Sequence, residues 1–197
     1  ATWLREKEYM DILKQNNVKA TFFVTNGKPD YQNLIAQEAQ RGHTVAIHSA
    51  SHDYAKIYQS VDAYFADFDE MNSIITAQTG KAADLVRFPG GSSNTISKTY
   101  CYGIMSQLVC AVEERGFRYC DWNVSSGDAG GTTSTSQVVA NVIAGIKSNN
   151  VSVVLQHDIK NFSVDAVEQI IQWGLSEGYT FLPMTSTTPM SHHGVNN

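Results

Sequence analysis

The stretch Val18-Lys19-Ala20-Thr21-Phe22-Phe23-Val24 decides the fold, because its run of apolar and β-branched residues predicts a buried strand. A turn at Thr25-Asn26-Gly27 follows it, and residues 31–41 then have the spacing of an amphipathic helix that ends at Gly42. The apolar run Thr44–Ile47 predicts the next strand. A strand, a helix and a second strand in such close succession predict a βαβ unit and therefore a parallel sheet.

The same alternation continues to the end of the chain. Further strands are predicted at Leu85–Phe88, Tyr119–Val124, Val151–Leu155 and Tyr179–Leu182, and further helices at Asp62–Thr79, Thr99–Arg115, Ser136–Lys147 and Val164–Ser176. No linker and no repeat of fixed period divides the chain, so we predict one α/β domain over residues 1–197. An open doubly wound sheet and a barrel both fit this pattern, and the number of units favours an incomplete barrel.

The composition excludes several classes of protein. Hydrophobic residues make up 42% of the 197, which excludes intrinsic disorder, and no apolar stretch is long enough to span a bilayer. The net charge of −5 argues against a nucleic-acid partner, because phosphate binding needs a dense basic surface. The spacings of Cys101, Cys110 and Cys120 fit no usual zinc motif. We expect three buried thiols, with one disulfide and one leftover thiol as the alternative.

The start of the chain carries no secretory signal, since it lacks a basic segment followed by an apolar one. Residues Trp3–Asn16 instead have the pattern of an amphipathic helix. A chain that begins inside a helix resembles a domain cut from a longer protein, so the missing signal says nothing about where the parent protein acts.

Polar residues that follow the predicted strands are the candidates for a site, because ligands of such folds meet the carboxyl ends of the strands. His48 and His52 follow the strand Thr44–Ile47 and are four residues apart. On one helical turn this spacing would direct both imidazoles toward one divalent metal ion. The alternative is a pair of solvated surface histidines.

A glycine-rich turn, Arg87-Phe88-Pro89-Gly90-Gly91-Ser92-Ser93-Asn94, follows the strand at Leu85. Its glycines would let the backbone approach a ligand closely, and N–H groups in such a turn can hold an oxyanion. Asp121 stands beside Trp122 in a later strand, and a bidentate ion pair between Arg87 and Asp121 is a natural partnership. An ordinary tight turn and a purely structural ion pair are the alternatives.

The pair His157-Asp158 follows the predicted strand Val151–Leu155. A histidine next to a carboxylate can act as a general acid whose pKa the carboxylate tunes, although an ordinary core histidine fits the same pattern. The chain contains no G-x-S-x-G nucleophile elbow and no glycine-rich nucleotide motif. Nothing therefore favours a serine hydrolase or a nucleotide-binding protein.

Five segments, taken in their order along the chain, together resemble the polysaccharide deacetylases of the NodB-homology type, carbohydrate esterase family 4. They are Val18–Val24, His48–His52, Arg87–Gly91, Asp121–Asn123 and Leu155–Asp158. The turn at Arg87 and the Asp-Trp-Asn segment are most similar to the peptidoglycan deacetylases of Gram-positive bacteria. The resemblance implies a distorted, incomplete (β/α) barrel and a hydrolase that removes acetate from N-acetylglucosamine units of a cell-wall polysaccharide.

The resemblance also implies catalytic roles for the residues that match the family. His48 and His52 would hold a divalent metal ion, for which Zn²⁺ is the first choice and Co²⁺ or Mn²⁺ the alternatives. His157 would be the general acid that protonates the leaving amine. Arg87 and Asp121 would orient the general base and support the site.

Three further residues match positions that contact the substrate in the family. The Gly90 N–H would bind the oxyanion, Trp122 would form a wall of the pocket, and Leu155 would line the pocket for the acetyl methyl group. The family often has tyrosine at the position of Gly90. A glycine still supplies the backbone N–H. The replacement of tyrosine by Gly90 therefore removes an aromatic wall of the pocket but keeps the hydrogen-bond donor.

One motif of the family, Thr-Phe-Asp-Asp-Gly at the end of the first strand, is absent from the 197 residues. Its two aspartates are the family's catalytic base and third metal ligand. Since family members place it shortly before a helix resembling Trp3–Leu13, we expect an N-terminally truncated catalytic domain without the first strand. The alternatives are an inactive glycan-binding pseudo-enzyme and an acetyl-xylan esterase with the same site. The expected partner is an acetylated polysaccharide, which implies an extracellular or cell-surface parent protein.

Overall fold

The computed structural model describes residues 4–197. The helix predicted from Trp3 is described from Leu4 onward, and Trp3 itself lies outside the described residues. The helices are α1 (Leu4–Gln15), α2 (Asn33–Gln40), α3 (Tyr54–Ile57), α4 (Val61–Thr79), α5 (Ile104–Glu114), α6 (Thr135–Lys147) and α7 (Asn161–Ser176). The strands are β1 (Thr21–Thr25), β2 (Thr44–Ser49), β3 (Leu85–Val86), β4 (Arg118–Tyr119), β5 (Val124–Ser125) and β6 (Val154–Leu155).

The chain divides into two compact units, each with its own sheet. Residues 21–121 and 184–197 form one, which we call the four-stranded unit, and residues 4–20 and 122–183 form the other, the two-stranded unit. The strand order in the first is β1-β2-β3-β4, and β5 pairs with β6 in the second. All of these pairings are parallel, which confirms the predicted α/β class.

In the four-stranded unit, α4 packs an aromatic and aliphatic face against β2 and α2. Its buried residues include Tyr64, Phe68 and Met71, which recur at helical spacing. The Ser60 side chain caps the first turn by accepting a hydrogen bond from the Ala63 N–H, and Gly80 ends the helix in the left-handed conformation at φ +76°. Both boundaries therefore follow from local sequence chemistry.

In the two-stranded unit, α6 packs against α7 around an aliphatic core. This core consists of Val138, Val142, Ile146, Ala166 and Ile170. Helix α1 contacts α7, where the Arg5 guanidinium bonds to Asp165 at 2.7 Å. The unit therefore joins segments that are distant in sequence.

Several sequence-based predictions of helices and strands differ from the structure. The predicted strand at Tyr179–Leu182 does not form, and its Leu182 side chain is 76% exposed, so no apolar burial favours a strand there. The helix predicted from Thr99 begins at Ile104, because Gly103 adopts a left-handed φ of +77° and interrupts the helical path. The strand predicted at Tyr119–Val124 is divided into β4 and β5, which belong to different sheets.

The cysteines differ from the prediction in their burial. All three are free thiols, but only Cys120 is buried, whereas Cys101 is partly exposed and Cys110 is exposed. Cys110 lies on the outward face of α5. Among the helices between residues 4 and 197, none combines the length and the apolar character that a bilayer crossing requires.

Candidate active site

His48 and His52 lie together in the four-stranded unit, with their ring centroids 5.0 Å apart. The predicted helical turn does not bring them together. His48 lies within β2, at a bulge where Val24 pairs with Ile47 and Thr25 pairs with Ser49. His52 adopts a left-handed φ of +52°, which is rare for a residue with a side chain. A bulge and a left-handed residue, both common at functional sites, replace the expected helix.

Asp67 holds the segment between the two histidines, and the sequence analysis missed it. Its carboxylate, on the buried face of α4, accepts hydrogen bonds from the Ser49 hydroxyl at 2.6 Å, the Ala50 N–H at 2.9 Å and the Ser51 N–H at 2.8 Å. Burial alone would raise the pKa of Asp67, but the bonds from Ser49 and Ser51 outweigh it and hold that pKa below its ordinary value. The sequence signal that could have identified Asp67 is an acidic residue among the apolar positions of α4.

The two imidazoles fit two positions of a metal site. His48 Nδ1 lies 2.7 Å from the Arg87 carbonyl oxygen. A carbonyl can only accept, so Nδ1 carries the proton and Nε2 carries the lone pair that a metal needs. Within residues 4–197, no group of three or more His, Cys, Asp or Glu side chains is arranged to hold a metal ion. The described residues thus offer two candidate nitrogen ligands, His48 and His52.

Arg87 is buried and makes contacts that differ from the predicted ion pair. Its Nε donates to the Cys120 carbonyl and one terminal nitrogen donates to the Asp121 carbonyl, each at 2.9 Å. The guanidinium also lies over the Phe23 ring, 4.2 Å from its centroid. Burial lowers the pKa of Arg87. Arg87 therefore reaches the main chain of Asp121 and not its carboxylate, which corrects the bidentate pairing.

The Asp121 carboxylate holds the glycine-rich turn. It is fully buried and accepts hydrogen bonds from the Ser92 N–H at 2.8 Å, the Ser92 hydroxyl at 2.5 Å and the His193 N–H at 2.9 Å. Because these donors come from the turn and from the C-terminal segment, Asp121 ties both to the end of β4. The role suggested by its geometry is to position the turn.

Gly90 is the exposed residue of that turn and has φ +80°, a value that favours glycine. The preceding carbonyl, that of Pro89, accepts a hydrogen bond from the Tyr58 hydroxyl at 2.7 Å. The Gly90 N–H donates to no atom of the part of the chain that the structure describes. It is therefore available to a ligand, and its role as an oxyanion donor stays a prediction.

His157 lies in the two-stranded unit, and the carboxylate bonded to it is Asp128. His157 Nδ1 lies 2.7 Å from Asp128 Oδ1, and Asp128 Oδ2 accepts from the His157 N–H at 2.7 Å and the Ser163 hydroxyl at 2.6 Å. The neighbour Asp158, which the sequence suggested, is partly exposed, and the burial of its carboxyl group raises its pKa. Asp128 was missed because it precedes His157 by 29 residues.

The structure distributes the sequence-predicted residues between the two units. The four-stranded unit contains His48, His52, Arg87, Gly90 and Asp121, whereas the two-stranded unit contains Trp122, Leu155 and His157. Trp122 and Leu155 are both partly buried, and Leu155 belongs to β6.

The contacts of Asp128 predict a dependence of stability on pH. Burial alone would raise the pKa of Asp128, but the hydrogen bonds from His157 and Ser163 hold it below its ordinary value. A lowered folded-state pKa contributes stability above the unfolded-state pKa of about 3.9, and this contribution is lost as the pH falls through the folded-state value. We expect the difference in unfolding free energy between the wild type and Asp128→Asn to shrink below about pH 4. Urea denaturation from pH 7 to pH 3 measures it, and a constant difference would contradict the prediction.

The chain is similar in sequence to proteins of known family. Residues 5–102 match the family model described as polysaccharide deacetylase. The chain is 31% identical over 180 residues to a peptidoglycan-N-acetylglucosamine deacetylase of Bacillus cereus, an alignment that covers 88% of the chain and 62% of that relative. Across three curated relatives, the chain spans between 61% and 64% of their length.

Solved structures extend the similarity to nearly the whole chain. The catalytic domain of a peptidoglycan N-acetylglucosamine deacetylase from Eubacterium rectale is 68% identical, with a TM-score of 0.97, covering 98% of this chain and 88% of that one. A polysaccharide deacetylase from Bacillus cereus is 30% identical, with a TM-score of 0.80, covering 98% and 90%. These matches confirm the predicted fold. The similarity to these proteins shows that the chain belongs to the polysaccharide deacetylase family.

Proposed function

We propose that the protein is a metal-dependent hydrolase that removes N-acetyl groups from N-acetylglucosamine units of peptidoglycan and releases acetate. The observation that carries the proposal is the His48–His52 pair, which combines neighbouring imidazoles, a metal-competent tautomer and a left-handed residue fixed by its surroundings. A pair of solvated histidines would not need a buried carboxylate to hold the connecting segment. The names of the relatives support the choice of substrate.

His48 and His52 would hold the metal ion, and two imidazoles with a carboxylate as third ligand favour Zn²⁺, with Co²⁺ or Mn²⁺ as alternatives. When bound, such an ion polarises a carbonyl oxygen and lowers the pKa of water. The family resemblance assigns the third ligand and the catalytic base to the Asp-Asp motif, which does not occur among the 197 residues.

The chain's own residues supply the remaining functions. The Gly90 N–H would donate to the acetyl oxygen as negative charge develops there. His157 would deliver a proton to the departing amine, and the Asp128 carboxylate would fix the orientation of its ring. Trp122 and Leu155 would contact the sugar and the acetyl methyl group, as the resemblance implies. Because the proposed substrate is a cell-wall polysaccharide, we propose that the protein acts outside the cytoplasm.

An inactive glycan-binding protein is the second candidate, and the absent Asp-Asp motif favours it. The Asp128–His157 pair argues against it, since a binding protein gains nothing from a histidine fixed by a buried carboxylate. The fold alone does not distinguish an enzyme from a glycan-binding protein, because one fold can serve either function.

The deciding experiment measures acetate release by the 197-residue chain and by a form extended at its N-terminus with a segment that carries the family's Thr-Phe-Asp-Asp-Gly motif. Both forms are given Zn²⁺, Co²⁺ or Mn²⁺ and are offered peptidoglycan, chitin oligomers or acetyl-xylan. We expect the extended form to release acetate from peptidoglycan. Release from acetyl-xylan alone would overturn the substrate, and glycan binding by the extended form without acetate release would favour the inactive protein.

Metal binding gives a test that does not depend on activity. We expect His48→Ala and His52→Ala each to abolish binding of Zn²⁺ by the extended form, because either change leaves too few ligands. Isothermal titration with Zn²⁺ and elemental analysis of the purified protein measure this loss. His157→Ala is the matched control, since it also removes an imidazole and should retain the metal. Equal loss in all three variants would show that His48 and His52 are not the ligands.

A further inference from the structure

Tyr54 lies beside the candidate metal ligands, yet the function proposed above does not use it. It is the first residue of α3 and follows His52 by two positions. The two rings meet edge to face, with centroids 5.6 Å apart and an interplanar angle of 90°. The side chain is partly buried, so one part of the phenol is fixed by protein and another part reaches solvent.

The other side of the Tyr54 phenol faces the glycine-rich turn. A Cβ placed on Gly90 would lie 3.2 Å from the Tyr54 hydroxyl oxygen and 3.4 Å from Cε1 of the ring. The phenol thus occupies the space that a side chain at position 90 would need. Tyr54 therefore connects the histidine segment to the turn that carries the available Gly90 N–H.

The Tyr54 hydroxyl differs from that of its neighbour Tyr58 in its hydrogen bonding. Tyr58 donates to the Pro89 carbonyl at 2.7 Å, whereas the Tyr54 hydroxyl bonds to no atom in residues 4–197. A partly buried hydroxyl without a protein partner pays a desolvation cost that a bound ligand can recover. A tyrosine hydroxyl ordinarily keeps its proton at neutral pH, so it can act as a donor to such a ligand.

We propose that the Tyr54 hydroxyl donates a hydrogen bond to the oxygen of the substrate's acetyl group, as a second donor beside the Gly90 N–H. This inference rests on the proposed deacetylase function. Tyr54 keeps its proton throughout, so it makes and breaks no covalent bond. A donor fixed before the reaction stabilises the charge that develops on the acetyl oxygen in the transition state.

The test is Tyr54→Phe, which retains the ring against His52 and Gly90 and removes only the hydroxyl. In the form of the protein that releases acetate, we expect kcat to fall by roughly 10²-fold, the effect of losing one oxyanion donor, while KM changes little. Bound metal and thermal stability should be unchanged. Tyr102→Phe is the matched control, because it deletes the hydroxyl of a tyrosine that is 84% exposed and should leave kcat unaltered.

A second substrate shows whether the hydroxyl acts on the acetyl oxygen. An N-trifluoroacetyl group stabilises the developing negative charge by itself, so Tyr54→Phe should reduce kcat less on this substrate than on the N-acetyl one. Equal losses on both substrates, a change in KM alone, or a fall in stability with unchanged kcat would each overturn the assignment. If the wild type is active and Tyr54→Phe is equally active, this inference alone fails. If the wild type releases no acetate, the proposed function fails, and this inference with it.

Discussion

Replacing His157 with glutamine is expected to lower kcat for acetate release by about 10²–10⁴-fold, the usual contribution of a general acid. The amine is a poor leaving group unless it is protonated, and glutamine cannot deliver the proton. The variant should still bind Zn²⁺, because His48 and His52 are unchanged. Steady-state acetate release on N-acetylglucosamine oligomers, together with metal analysis, measures both quantities.

The control for this prediction is His192→Gln. His192 is an exposed histidine whose Nε2 bonds to the Tyr119 carbonyl and whose ring stacks on Tyr119. We expect this variant to retain the wild-type kcat. Full activity of His157→Gln at neutral pH would refute the general-acid role, and a comparable loss in both variants would indicate a nonspecific effect on the fold.

Replacing Asp67 with alanine is expected to destabilise the protein by about 2–4 kcal/mol and to weaken Zn²⁺ binding by about 10–100-fold. The change leaves the Ser49 hydroxyl and the Ala50 and Ser51 N–H groups without their acceptor in a buried position. The segment that holds His52 at φ +52° then loses its main restraint. Urea denaturation and titration with Zn²⁺ measure the two effects.

Asp69→Ala is the matched control, because it removes a carboxylate from the same helix. Asp69 pairs with Arg115 at 3.1 Å in an exposed position, where an ion pair contributes about 0–1 kcal/mol. We expect its Zn²⁺ affinity to equal that of the wild type. If Asp67→Ala lost no more stability and metal affinity than this control, Asp67 would not be the residue that positions the histidine segment.

Several features of the site were predictable because they depend on local chemistry. His48, His52 and the Arg87–Asn94 turn are adjacent to strands whose apolar runs are visible in the sequence. In parallel α/β folds the ends of strands carry ligands, so these residues became candidates without any knowledge of their contacts. The geometry that joins the histidines was predicted wrongly, since neither the bulge at His48 nor the left-handed His52 has a reliable local signal.

The carboxylates that hold the candidate residues in place could be found only in the folded chain. Asp67 contacts a segment 16 to 18 residues away, Asp128 bonds to a histidine 29 residues away, and Asp121 bonds to His193 across 72 residues. The sequence analysis instead suggested Asp158 as the carboxylate partner of His157 and the Asp121 carboxylate as the partner of Arg87. Both suggestions were wrong in detail because a hydrogen bond depends on distances in space, which helix packing and strand order decide.

The sequence by itself determined the α/β class and the order of most helices and strands, because apolar periodicity and caps act over a few residues. Short motifs carried the resemblance to the family and, with it, the proposed roles of His48, His52 and His157. Only the tertiary structure decided which buried carboxylate serves each histidine or turn, and that the Tyr54 hydroxyl lies against Gly90. Buried polar groups need partners, and the chain supplies those partners from positions that only folding brings together.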